Sequence, residues 1–326
     1  MAKKCYILSA AQVSCQKPLS EDWYNNPIAC ESDYVRAIEP DSKSFIPVGE
    51  ARRMSKLLKR AICTSISALK ASGIEHPDAI ITGTGMGCIE NSEKFLTDME
   101  KYGENMLKPT LFMQSTHNTI SSLIGINLKC HGYNSTYSHR GVSFENALWD
   151  AWLQIKQGAI SNALVGSHDE VTPLVAKILK QTNSDYRFIS ETSVSFMIAS
   201  EDLTGNGVEI SDVQILNEPT AEELKNILNS ATPSLVICGT NGNPINDEPY
   251  NSVIDGKYPV VGYRNLFGNN YSSSALGTYV GFVILQRQSV PEHLAKDNEY
   301  PSKINRMVIL NHTGELWSII TLQKDE

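Results

Sequence analysis

The chain has no stretch of apolar residues approaching the ~20 needed for a helix to cross a bilayer, so no membrane insertion is expected. It has no C-x-x-C pair. Its seven cysteines are odd in number and scattered, which argues against a disulfide framework or a zinc site and fits a reducing compartment. Positive charge is scarce as well. Thirty-six acidic residues against 28 Lys and Arg leave a formal charge of −8, which disfavours a nucleic-acid groove, and no nucleic-acid partner is expected. The glycine turn Gly83-Thr84-Gly85-Met86-Gly87 lacks the third glycine of G-x-G-x-x-G at the right offset, and no GKS or GKT follows. It reads as a tight turn beside a pocket or interface, and no cofactor is expected. His168, Asp169 and Glu170 are adjacent at a strand end, where neighbouring side chains point to opposite sides, so no metal is expected either. The first fifteen residues place two lysines, an apolar patch and Cys15 in the order of a lipoprotein signal. The patch is too short, however, and Gln12 is ill-suited three residues before the cysteine. A first strand at Cys5–Leu8 and a cytoplasmic location are expected instead.

What the sequence does contain, over its 326 residues, is alternation of strand and helix patterns, which makes the class α/β. Residues 15–50, rich in Pro, Asn, Asp and Ser, read as a long irregular excursion of the kind that tends to be functional or interfacial. Residues 52–70 carry Met54, Leu57, Leu58, Ala61, Ile62, Ile66 and Leu69 on one helical face and stop at Gly73. A strand at Ala79–Ile81 runs into the glycine turn. Helices are expected at 91–102 and from Asn118 onward, separated by Pro109. The centre of the pattern is residues 131–170: a strand, the turn Thr136–Gly141, a helix with Ala147, Leu148, Ala151, Trp152 and Ile155 ending at Gly158, and a strand at Ala163–Val165. Further elements are expected at 193–199, 221–228, 234–238 and 271–285. Met307–Leu310 and Trp317–Leu322 form a hairpin with His312 to Gly314 at its turn.

In this order, the stretches RRMSKLLKRAICTSISALK, IITGTGMG, the run from PTLFMQSTHN through GVSFENALWDAWLQIKQG to GSHDE, and NGNPINDE resemble the β-ketoacyl synthases of the thiolase-like superfamily. The resemblance covers nearly the whole chain. It implies a five-layered αβαβα fold built from two similar halves, approximately 1–190 and 191–326 of a single 1–326 unit, usually dimeric. The family's activity is acyl transfer. A condensing enzyme needs a thiolate, which is both nucleophile and leaving group, and two histidines to assist it. Aligned on the family motifs, the nucleophile position is Ser138, and the two histidine positions fall on Gly239 and Asn269.

All three positions therefore depart from the condensing pattern, and the isolated chain is expected not to condense. What the resemblance implies instead is a chain-length-factor type of subunit, similar also to the ketosynthase-like subunits of aryl-polyene pathways. Such a subunit pairs with an active ketosynthase, or with itself, and meets acyl carrier protein. An acyltransferase or thioesterase using Ser138 with His312 or His139 as base, and a homodimeric carrier-binding scaffold, remain open alternatives. His117, Asn118, Tyr137, His139 and Arg140 are expected to line the pocket or the interface.

Overall fold

The computed structural model describes residues 3–104, 107–183, 185–295 and 299–324. Its strands are β1 (Tyr6–Val13), β2 (Tyr34–Val35), β3 (Ala79–Gly83), β4 (Tyr133–Tyr137), β5 (Asn162–Asp169), β6 (Ile189–Ser190), β7 (Thr192–Ala199), β8 (Val208–Asn217), β9 (Leu235–Cys238), β10 (Val260–Gly262), β11 (Arg306–Thr313) and β12 (Leu316–Gln323). Its helices are α1 (Val48–Ala51), α2 (Lys56–Ser72), α3 (Ile89–Tyr102), α4 (Pro109–Met113), α5 (Thr119–Leu128), α6 (Ser143–Gln157), α7 (Pro173–Thr182), α8 (Ala221–Ala231), α9 (Pro244–Ile254), α10 (Arg264–Phe267) and α11 (Ser273–Arg287). None of them is long and apolar enough to cross a membrane.

Among the described residues the main sheet runs β10-β9-β11-β12-β8-β1-β7-β5-β3-β4. It consists of two copies of one pattern. β4, β3 and β5 are mutually parallel, and β7 and β1 are added antiparallel. β10, β9 and β11 repeat the parallel set, with β12 and β8 added antiparallel. The sets join where β1 pairs with β8, Tyr6 opposite Glu209. The division between halves therefore lies between Ala199 and Val208 and not at residue 190, because β7 is hydrogen-bonded to β1 and β5 of the first set.

Strand residues alternate between two apolar layers. Ala79, Ile81, Ala163, Val165, Phe196, Ile237 and Ile309 pack inward with Phe144, Ala147, Leu148, Ala151 and Ile155 of α6 and with α11. Ile80, Leu164 and Met197 face outward under α2 and α5, and Val236, Val308 and Ile319 face outward under α8 and α9. The order is helix, sheet, helix, sheet, helix. Both sheet faces are covered, which is why these strands read as continuous apolar runs. α11 is buried from Ser273 to Leu285, as befits a helix between the two halves of the sheet.

Local chemistry sets the element ends. The Ser55 hydroxyl accepts from Leu58 N and caps α2, so this helix begins at Lys56 and Met54 of the apolar pattern lies before it. Gly73 and Gly158 terminate α2 and α6 at φ +74° and +76°. Two elements differ from expectation. β8 is a full strand although VEISDVQILN carries too many polar residues to mark it, because pairing with both β1 and β12 supplies what the pattern lacks. The NGNPINDE turn continues as α9: Pro244 sits at the first helical position, where no backbone donor is needed. The excursion 15–50 is anchored on the core. Trp23 is fully buried against Phe267 and Tyr279, and Arg60 of α2 holds Glu39 at 2.6 Å and Glu191 at 2.9 Å.

Candidate functional site

The turn between β4 and α6 stands at the mouth of an open cleft of about 970 Å³ lined by Ser138, His139, Arg140, Gly141, Tyr186, Tyr271 and the β11–β12 turn. Its backbone is locked by Ser143. That hydroxyl accepts from His139 N at 2.8 Å and lies 2.7 Å from Arg140 O and 3.1 Å from Thr84 O. Close packing beneath the turn explains Gly83: a Cβ there would meet the Ser143 carbonyl carbon at 2.5 Å. Arg140 adopts a left-handed φ of +46°, a conformation that costs a non-glycine residue on the order of 1 kcal/mol.

Ser138, His139 and Arg140 are exposed, and among the described residues the Ser138 hydroxyl makes no hydrogen bond. No base stands within hydrogen-bonding reach of it. Among the described residues neither His139 nor His312 hydrogen-bonds it, and the His312 ring is engaged elsewhere. The His312 ring stacks on Trp317 at 4.5 Å and meets Tyr250 edge-on at 6.3 Å. Its backbone N–H donates to Tyr250 Oη at 2.8 Å. Burial holds the His312 imidazole below its usual pKa. Tyr137 is half-buried at the strand end, and burial, reinforced by Asp150, pushes its phenol up to about 12.

The positions aligned with the family's histidines lie deeper. Gly239 directly follows β9, and a Cβ added to it would meet Tyr250 Oη at 2.5 Å and Arg264 Cζ at 2.8 Å. The space a side chain at 239 would enter is thus already filled by Tyr250 and Arg264. Asn269 is buried between α10 and α11, its backbone paired with Phe188 and Ser190. Asn269, Arg264, Asn246, Tyr186 and His312 share a second recess of about 280 Å³, which meets the wider cleft along Gly141, Tyr271 and Thr313. The structure therefore brings Asn269 and His312 to one wall, places Gly239 directly behind Arg264, and leaves Ser138 on the rim. His117 and Asn118 are exposed at the start of α5, with the His117 ring against Gly87.

The glycine turn has a specific use. Asp169, fully buried at the end of β5, accepts from Gly85 N, from Met86 N at 2.8 Å, from Thr84 Oγ1 at 2.9 Å and from Ser272 Oγ at 2.5 Å. The turn cradles a protein carboxylate and ties it to α11. Sequence reading passed over Arg264 and Tyr250, because nothing local marks an arginine in YRNLFG or a tyrosine in DEPYNS as facing one interior glycine. Among the described residues no group of His, Cys, Asp and Glu side chains is placed to hold a metal ion.

A paired 3-2-4-5-1 strand order in two halves, with buried helices between them and a strand-to-helix turn at the cleft, defines a thiolase-like ketosynthase fold. Residues 21–209, more than half of the chain, match the family model for the β-ketoacyl synthase N-terminal domain, and the chain belongs to that family. No curated protein matches it in sequence. Three solved structures share the fold at 13% identity. One is AntDE:AntF, a type II PKS acyl-carrier protein in complex with its ketosynthase bound to the hexaketide (TM-score 0.79, 99% of each chain covered). Another is the ishigamide ketosynthase/chain length factor (TM-score 0.80, 100% of each). The third is a β-ketoacyl synthase from Burkholderia phymatum STM815 (TM-score 0.76, 99% of this chain and all of that one).

Proposed function

We propose that this protein is a non-catalytic ketosynthase homologue of the chain-length-factor type. It pairs with a cysteine-bearing ketosynthase in polyene, polyketide or fatty-acid-type acyl-chain elongation, and through that pair it meets acyl carrier protein. The observation that carries the reading is the remodelled centre: a serine without a base at the nucleophile position, a glycine backed by Arg264 at one histidine position, and Asn269 at the other. A thiol ester cannot form on Ser138, and the alkoxide an oxygen ester would require has no proton acceptor in reach.

A free edge supports the pairing. β4 ends the sheet with no described strand beyond it. On it and on the adjoining α5 stand Tyr133 of β4 at 44% exposure and Ile126 of α5 at 72%. An unpaired edge strand flanked by large apolar side chains is a surface that proteins ordinarily cover. Co-expression with a cysteine-bearing ketosynthase encoded beside it tests the reading. A stable 1:1 complex, active only as the pair, is the expected outcome. A homodimer of this chain that elongates malonyl thioesters, or an acyl adduct seen by intact mass and lost in Ser138→Ala, overturns it.

A further inference from the structure

Arg264 is a buried cation without a counter-ion. It opens α10 at 8% exposure, and among the described residues it joins no ion pair. Its Nε has no partner, and Nη1 reaches only Asn246 Oδ1, at a long 3.4 Å. Around it stand the phenols of Tyr186, Tyr250 and Tyr263, which are neutral at physiological pH; the ring of Tyr263 lies 5.8 Å from Cζ. Glu145 is a buried carboxyl whose charged form Arg264 favours only weakly beside the other effects on it. Burial drives that group toward its protonated form, and it is hydrogen-bonded to Ser318 at 2.7 Å. Asp185 lines the same recess beyond ion-pair distance. An isolated buried charge is expensive and is normally paired, by a protein group or by a ligand.

Arg264 is not sealed in, because it is one of the residues that line the 280 Å³ recess. The recess is polar on one side, with Asn246, Asn269 and Asn270, and apolar on the other, with Ile245, Pro249 and Thr313. We propose that this recess binds a small monoanionic carboxylate, its oxygens on Arg264 and its short carbon chain against Ile245 and Pro249. A planar carboxylate matches the guanidinium fork. One positive charge with Asp185 nearby favours a monoanion over a phosphate dianion. The inference stands apart from the pairing reading, because the ligand is held by this chain alone.

The purified chain is titrated with propionate, acetate, malonate and inorganic phosphate at constant ionic strength, with chloride as the reference, by calorimetry and thermal unfolding. Saturable propionate or acetate binding that raises Tm is expected. It should weaken at least about tenfold in Arg264→Gln and be partly retained in Arg264→Lys, which keeps the charge but not the fork. Carboxylate effects no larger than chloride overturn the proposal, as does binding unchanged in Arg264→Gln or binding of phosphate alone. Should Arg264→Gln fail to fold, a wild-type crystal grown in propionate decides: density within hydrogen-bond distance of the guanidinium supports the site, and an empty recess overturns it.

Discussion

Gly239 has no room for the histidine expected at its position in a condensing relative. Tyr250 is completely buried, and a Cβ at position 239 would already meet its Oη at 2.5 Å and Arg264 Cζ at 2.8 Å. Gly239→His is therefore expected to destabilise the fold by roughly 2–4 kcal/mol, measured by urea unfolding. The triple variant Ser138→Cys, Gly239→His, Asn269→His should remain unable to decarboxylate a malonyl thioester. Arg60 poses the opposite problem, a buried cation with two carboxylate partners. It holds Glu39 and Glu191, while Glu191 also accepts from Ala37 N at 2.9 Å and Val171 N at 3.3 Å. Arg60→Met strands a buried carboxylate and is expected to cost about 3–5 kcal/mol, loosening the 15–50 excursion before the core. Protease cleavage within 15–50 at otherwise native conditions would report this. Arg60's place on a helix was legible in the sequence from the apolar pattern of 52–70. Its two partners were not, since they lie 21 and 131 residues away and only folding gathers them.

At the scale of elements, the end of β5 carries two neighbours with opposed titrations. Burial pushes His168 down to about 3, and its Nδ1 faces Ser193 Oγ at 2.7 Å. Burial pushes Glu170 up to about 7. With the histidine lowered, the unfolded chain binds more protons between pH 6.5 and 3, so its contribution is full above 6.5 and is lost as pH falls, at most about 5 kcal/mol. With the glutamate raised, the folded chain binds more protons between 4.5 and 7, so its contribution is full below 4.5 and is lost as pH rises, at most about 3 kcal/mol. The two oppose each other between pH 4.5 and 6.5. Relative to wild type over that window, stability of Glu170→Gln should rise more steeply with pH and that of His168→Gln should fall, measured as urea midpoints at half-unit steps. The free β4 edge invites a second test at this scale. Ile126→Asp should leave Tm within a degree or two, because the residue is exposed, yet weaken association with a partner ketosynthase at least about tenfold in co-purification.

For the whole molecule, the shared central layer decides behaviour. α6 belongs to the first half and α11 to the second, and both are packed into one apolar cluster with strands of both halves. The β1–β8 pairing closes the sheet between them. Neither half has an inner face of its own to bury, so unfolding is expected to be a single transition. Far-UV circular dichroism and tryptophan fluorescence should give coincident curves, and a fragment ending near residue 200 should not fold.

The sequence by itself determined the α/β alternation, the buried strands with their continuous apolar runs, the glycine stops of α2 and α6, and the position of the turn at Ser138. All of these are local patterns, written in periodicity and in conformational demands that each segment carries alone. Aligned on the family motifs, it also carried the expectation that Ser138, Gly239 and Asn269 stand where a condensing enzyme has its cysteine and histidines. Tertiary structure alone decided that β8 is a strand, because its pairing comes from both sides. It decided too that the glycine turn holds Asp169, 84 residues downstream of Gly85. Above all it decided what fills the remodelled centre. The Ser138 turn was legible as the architectural hinge between β4 and α6. That Arg264 backs Gly239 and faces a recess without a counter-ion follows from three segments meeting in space, and no spacing along the chain encodes it.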